Sequence, residues 1–165
     1  MESAQSVINS ARSDAKKLVS FFTDGEPNHQ NGFDNEVAAD TVNTANEIKD
    51  SGATIYTIGV LQGADPSDTT EEDFNQYMNA VSSNYPTATA DGSNGGFMGW
   101  GSHFTITWGN GSTDNGYYKA ASDANGLNSV FDDIFDSEVT GSGAPTQVTE
   151  TEGFDATNSG YITFT

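Results

Sequence analysis

An α/β fold, with a parallel sheet flanked by helices, is what this 165-residue sequence predicts. Three observations carry that reading. Leu18 to Phe22 is a short apolar run of the kind that fills a strand buried on both faces, and it stops abruptly at Thr23-Asp24-Gly25. Residues 35 to 51 place Ala38, Val42, Ala45 and Ile48 on one helical stripe, and Gly52 suits the position that closes such a helix. Ala53 to Leu61 is then β-branched and mostly apolar, the clearest strand in the chain. Strand, helix, strand is a βαβ unit, so its two strands are expected to run parallel through a right-handed crossover.

The remaining elements follow in order. Residues 3 to 16 read as a helix, with Val7, Ile8, Ala11 and Ala15 at helical spacing and Lys16 and Lys17 near its end. Asn28 to Asp34 is polar loop material. Beyond the Ala53–Leu61 strand, Thr69 with Glu72 three residues later makes a capping box for a third helix carrying Phe74, Tyr77, Met78 and Val81 on one face. From about 87 to 116 the chain turns rich in Gly, Asn, Ser and aromatic residues, with a short strand near Phe104 to Trp108. Thirty residues is long for a connection, so this stretch reads as a surface insertion, a small hairpin. Its large apolar side chains (Phe97, Met98, Trp100, Phe104, Trp108) either fold back over the domain or form a recognition loop, the first being favoured. Tyr117 to Ala121 is one more short strand. Ser122 then caps a last helix with Leu127, Val130, Phe131, Ile134 and Phe135 facing the core. Gly141 to Pro145 is a linker, and Val148 to Thr165 resembles the start of a following β-rich module, giving a division at about residue 140.

Composition narrows the function. Twenty-four acidic residues against five basic ones give a formal charge of −19, which disfavours nucleic acid and anionic membrane surfaces. It suits an extracellular, cation-tolerant protein. The chain has no cysteine, which removes thiolate-zinc and thiol chemistry. No run reaches the roughly 18 apolar residues of a membrane span. The opening Met1-Glu2-Ser3-Ala4 lacks a signal peptide, so secretion calls for a targeting signal upstream.

Asp24 is the leading site candidate. In open α/β sheets, ligands bind in the crevice outside the carboxyl ends of the strands, and Asp24 stands where a strand ends. It also suits a plain turn cap. His29 and His103 read as lying in polar loops and, without cysteine, make a poor start for zinc. No Gly-x-Ser-x-Gly elbow, Gly-x-Gly-x-x-Gly or Walker lysine follows a strand, which leaves hydrolase and nucleotide chemistry without an anchor.

Phe21-Phe22-Thr23-Asp24-Gly25-Glu26-Pro27 resembles the fourth strand of a von Willebrand factor A-type domain, and Thr54 to Val60 looks like that family's fifth. Asn79 to Pro86, Tyr117 to Asp123 and Leu127 to Phe131 are similar to A-type domains on cell-wall-anchored surface proteins of Gram-positive bacteria. The resemblance covers roughly residues 3 to 138. It implies a Rossmann-like fold, represented here by its C-terminal part, and a binding or adhesion role toward a protein or extracellular-matrix partner. It also implies a divalent cation (Mg²⁺, or Mn²⁺ or Ca²⁺) at an adhesion site assembled from three loops, of which only the third-loop acid, Asp24, has a counterpart. The chain is therefore expected to lack the first three strands and to bind metal weakly, and the removal of neighbouring strands invites self-association through an exposed sheet edge. Asp65-Pro66-Ser67-Asp68-Thr69 has the look of the missing Asp-x-Ser-x-Ser/Thr loop but reads as turn and cap residues. The competing function is a Rossmann-like, metal-dependent phosphoryl-transfer enzyme using Asp24, a role fold shape alone does not license.

Overall fold

The computed structural model describes residues 1–29, 32–96 and 100–140. The chain opens with helix α1 (Glu2–Ser10) and strand β1 (Lys17–Thr23). Two two-residue strands, β2 (Asn28–His29) and β3 (Gly32–Phe33), pair antiparallel ahead of helix α2 (Asn35–Asp50) and strand β4 (Ala53–Gly59). Helix α3 (Asp73–Val81), strands β5 (Thr89–Ser93), β6 (His103–Thr107) and β7 (Tyr118–Ala120), and helix α4 (Ala124–Thr140) complete the described elements.

The central sheet has the order β1-β4-β7 and is parallel throughout. Lys17 stands beside Ala53 and Thr23 beside Gly59, so β1 and β4 end level with each other. As the middle strand, β4 is buried along nearly its whole length. On one face, Ile55 packs with Val19 and Phe21 of β1 against the α2 stripe Ala38, Val42, Ala45 and Ile48 and the α3 stripe Phe74, Tyr77, Met78 and Val81. The predicted stripes of both helices are all buried. On the other face, Tyr56 and Ile58 pack against Val130 and Ile134 of α4.

The α2 start is fixed by Asp34, whose carboxylate accepts the Val37 amide at 3.0 Å, and its end by Gly52 at φ +84°. The glycine-rich stretch forms an antiparallel hairpin of β5 and β6 that lies on α2. Asn43 of α2 behaves there like a neighbouring strand, donating to Ala90 O and accepting from Ala90 N. Phe104 stacks on Phe33 with centroids 5.2 Å apart, and Trp108 on Tyr85 at 4.6 Å. These rings fold back on the domain as favoured; Trp100 instead stands 83% exposed at the hairpin's tip, and Phe97 and Met98 lie outside the described residues.

Several expectations are corrected. The β1 run is not buried on both faces: Leu18 is 41% and Phe22 63% exposed, because α4 covers β4 and β7 while the same face of β1 carries no described cover. The first helix ends at Ser10, not 16, with Ala11 already extended, and Val7 is exposed. The third helix begins at Asp73, and Thr69 with Glu72 forms no capping box: Glu72 makes no side-chain cap, and Asp68 takes the amides of Thr70, Glu71 and Glu72. At α4 the amide of Gly126 is accepted by Asp123 rather than Ser122, and Phe131 and Phe135 point away from the core. His29 lies on β2 and His103 on β6, not in loops, and the Asn28–Asp34 stretch holds the small β2–β3 pair. The linker and the β-rich stretch, 141–165, lie outside the described residues.

Candidate functional site

The carboxyl ends of the parallel strands make one rim. Thr23 and Gly59 are register partners there, and Val60 N donates to Thr23 O at 2.8 Å. Ala121 N donates to Gly59 O at 2.9 Å, so the exit of β7 reaches the same edge. Asp24 follows Thr23 directly and is exposed. The hydroxyl of Thr23 donates to Gly25 O at 2.7 Å and accepts Gly25 N at 3.2 Å, which folds the turn beneath the Asp24 carboxylate. Among the described residues nothing hydrogen-bonds that carboxylate. The side chain that caps the turn is that of Thr23, not the Asp24 carboxylate.

The β4–α3 loop supplies the next wall. It encloses a shallow cavity of about 380 Å³ lined by Asp65, Ser67, Asp68, Glu71, Glu72 and Asn75 among others. Two of these acids are already committed to the loop's own backbone. Asp65 accepts the Ser67 hydroxyl at 2.6 Å and the Ser67 amide at 2.9 Å, and these bonds hold its carboxyl below the usual range. Partial burial pushes Asp68 upward, but the amides of Thr70, Glu71 and Glu72 and the Asn75 side chain outweigh it and bring Asp68 down to about 2. Asp65-Pro66-Ser67-Asp68-Thr69 thus works as turn and cap.

Sequence reading missed what positions this loop. Asn75, Asn79 and Asn84 are buried and linked. Asn75 donates to Gly63 O and Asp68 Oδ2 and accepts Asp65 N and the Tyr118 hydroxyl, which fills its whole hydrogen-bonding capacity. Asn79 reaches Pro66 O and Asp68 O at 3.1 and 3.0 Å. Asn84 donates to Asn79 Oδ1 and accepts Tyr117 N, connecting helix, loop and β7. The only hint in the sequence is the i, i+4 spacing of Asn75 and Asn79 beside an apolar stripe.

Lys16 and Lys17 lie at the opposite end of β1. A cavity of about 510 Å³ there is lined by Lys16, Lys119, Tyr56 and Glu138, with Lys16 and the Tyr56 hydroxyl both donating to the Glu138 carboxylate. Lys17 opens β1 at this end, and Arg12 precedes it by five residues. The remaining basic residue, Lys49, is buried, its ammonium donating to Ala80 O, Ser82 O and Tyr85 O at 2.8, 3.1 and 2.9 Å.

A hard divalent cation takes about six oxygen ligands in Mg²⁺ geometry. Among the described residues no group of three or more His, Asp or Glu side chains is arranged to hold a metal. The Thr23 hydroxyl is engaged with Gly25, so Asp24 brings one carboxylate and no companion side chain. These residues do not fit a complete cation site. His103 bonds Asp91 Oδ2 and Gly101 O within the hairpin.

A family model described as von Willebrand factor type A domain matches residues 1–91, more than half of the chain. No curated protein and no solved structure matches it.

Proposed function

The chain belongs to the von Willebrand factor type A domain family, and on that premise we propose that it is a binding and adhesion module of a surface protein, recognising a protein or matrix partner at the Asp24 rim. The observation that carries this is the position of Asp24: exposed, held up by the Thr23–Gly25 turn, and level with the tail of the neighbouring parallel strand. Asp24 is the described residue that would hold a divalent cation at this rim, and such an ion would supply a positive centre for a partner's carboxylate. On this reading residues 1–140 form the A-type unit. The setting is the cell wall of a Gram-positive bacterium, for which the acid-rich, cysteine-free composition is suited.

The phosphoryl-transfer alternative calls for a lysine beside the acid. Lys16 and Lys17 stand at the other end of β1, Lys119 lines the cavity shared with Lys16, and Lys49 is buried against the end of α3. That distribution favours binding over turnover.

Calorimetric titration with Mn²⁺ alone tests the assignment. The expected result is weak binding, with a dissociation constant on the order of millimolar, that disappears in Asp24→Ala. Micromolar binding that survives Asp24→Ala places the metal elsewhere. Hydrolysis of a generic phosphate monoester that needs Asp24 transfers the site to the enzyme class.

A further inference from the structure

The chain carries Asn-Gly steps at Asn31, Asn94, Asn110, Asn115 and Asn125. A glycine after asparagine leaves the asparagine carboxamide open to attack by the next backbone nitrogen, because no side chain shields that nitrogen. Attack needs a glycine N–H without an acceptor and a carboxamide free to turn toward it. Asn31 lies outside the described residues, and the fold ranks the other four.

At three of them the glycine amide is engaged. Gly95 N donates to the Ser93 hydroxyl at 3.1 Å, Gly116 N to Thr113 O at 3.0 Å, and Gly126 N to the Asp123 carboxylate at 2.8 Å. Their asparagines are held as well. Asn94 donates to the Asp34 carboxylate and accepts Asn35 N, Asn115 donates to Asn84 O, and Asn125 stands in the first turn of α4. Asn110-Gly111 differs on both counts. Asn110 is exposed, and neither its carboxamide nor the Gly111 amide has a hydrogen-bond partner among the described residues. Only the surrounding backbone is pinned, with Asn110 N donating to the Thr87 hydroxyl at 3.3 Å and Ser112 N to Asn84 O at 3.0 Å.

We propose that Asn110 is a self-modification site, the described Asn-Gly step at which the folded chain converts asparagine to aspartate and isoaspartate. Gly111 N gives up its proton to solvent and bonds to Asn110 Cγ. The Cγ–Nδ2 bond breaks, ammonia leaves after taking a proton from water, and a succinimide ring closes. Water then opens the ring at one of its two carbonyls. Opening at Cγ restores the chain with an aspartate. Opening at the main-chain carbonyl routes the chain through Cβ and Cγ as isoaspartate. The net change is water in and ammonia out, with one negative charge gained, and no other reactant takes part. The position gives the reaction a structural consequence. A Cβ added to Gly111 would fall 2.2 Å from Asn84 O and 2.8 Å from the Tyr85 ring, so this backbone has no slack. Isoaspartate lengthens it by one atom between the Thr87 and Asn84 anchors and breaks the Ser112–Asn84 bond. Asn84 also accepts Tyr117 N and donates to Asn79, so the disturbance enters the buried asparagine chain that holds the rim loop.

Ageing the full chain at mildly alkaline pH, with peptide mapping by mass spectrometry at intervals, tests this. Asn110 is expected to convert about fivefold or more faster than Asn94, Asn115 or Asn125, the factor that one hydrogen bond on the glycine amide is worth. In urea the four rates are expected to converge, since all share one dipeptide. Asn110→Gln is expected to abolish the early conversion without moving the thermal unfolding midpoint, its side chain being exposed and unpartnered. Aged chain rich in isoaspartate is expected to melt below Asn110→Asp, which carries the new charge without the extra backbone atom. Conversion of Asn94, Asn115 or Asn125 as fast as Asn110 in the folded chain overturns the proposal. So does the same ranking in urea, which would assign the selectivity to local sequence rather than to the fold. Isoaspartate chain that melts with Asn110→Asp overturns the link to the asparagine chain.

Discussion

The Tyr118 hydroxyl donates to Asn75 Oδ1 at 2.9 Å, and through that bond the last strand of the sheet holds the loop on which the rim is built. Both side chains are buried, and the same amide oxygen also accepts the Asp65 amide. Burial in apolar surroundings pushes the Tyr118 phenol well above its ordinary range, with the nearby Asp65 and Asp68 carboxylates adding to the effect, so it stays a donor at any ordinary pH.

Asn75→Ala is therefore expected to destabilise the domain by roughly 2–4 kcal/mol, because it strands the Asp65 amide and the Tyr118 hydroxyl inside the protein. Tyr118→Phe removes one bond while keeping the ring, and is expected to cost about 1 kcal/mol. Urea unfolding curves with unchanged slope measure both differences.

Lys49 makes stability depend on alkaline pH. Burial lowers its pKa from 10.5 to about 8, against a smaller upward pull from Asp50. In the unfolded chain the amine keeps its proton to about 10.4, so between pH 8 and 10 the unfolded state binds more protons than the folded one. The free energy of unfolding from this group is then expected to rise with pH across that window, by roughly 3 kcal/mol in total. Lys49→Met is expected to lose that rise and, at pH 7, to lower stability by about 1–3 kcal/mol by leaving three carbonyls at the end of α3 without their donor. Paired chemical denaturation of wild type and variant at several pH values isolates the Lys49 contribution from the repulsion of the acidic surface.

Gly92 is where the hairpin touches down on α2. A Cβ added there falls 2.1 Å from Asn35 O and 3.0 Å from the Ala39 methyl, and the first of these is backbone that cannot move aside cheaply. Gly92→Ala is expected to lift the hairpin and destabilise by about 2–4 kcal/mol. The lift also opens the Phe104–Phe33 and Trp108–Tyr85 contacts, so a red-shifted tryptophan emission should accompany it.

The elements that were legible in the sequence are those whose burial has a period. The α2 and α3 stripes and the β-branched β4 each place apolar side chains on the side that ends up covered, and Gly52 marks a helix end through its positive φ. What failed was whatever depends on a neighbour. Leu18 to Phe22 is as apolar as a central strand, and nothing in the run itself says that one face goes uncovered. Phe131 and Phe135 carry the same hydrophobic signal as Val130 and Ile134, yet lie one helical step around α4, off the sheet. Thr69 and Asp68 are both good cap residues, and the choice between them is made by Asn75, a side chain on the following helix that anchors the aspartate. At the rim, the strand-end position of Asp24 was readable from the Thr-Asp-Gly stop, whereas the three buried asparagines look like surface residues until α3, the loop and β7 are brought together.

Four of the five basic residues are away from the core; Lys16 and Lys17 stand at the end of β1 farthest from Asp24, whereas Lys119 pairs with Ile58, one step before the rim. With 24 acidic residues against five basic ones, the molecule as a whole repels polyanions, so a cationic partner is the one whose approach its field favours, the more so at low salt.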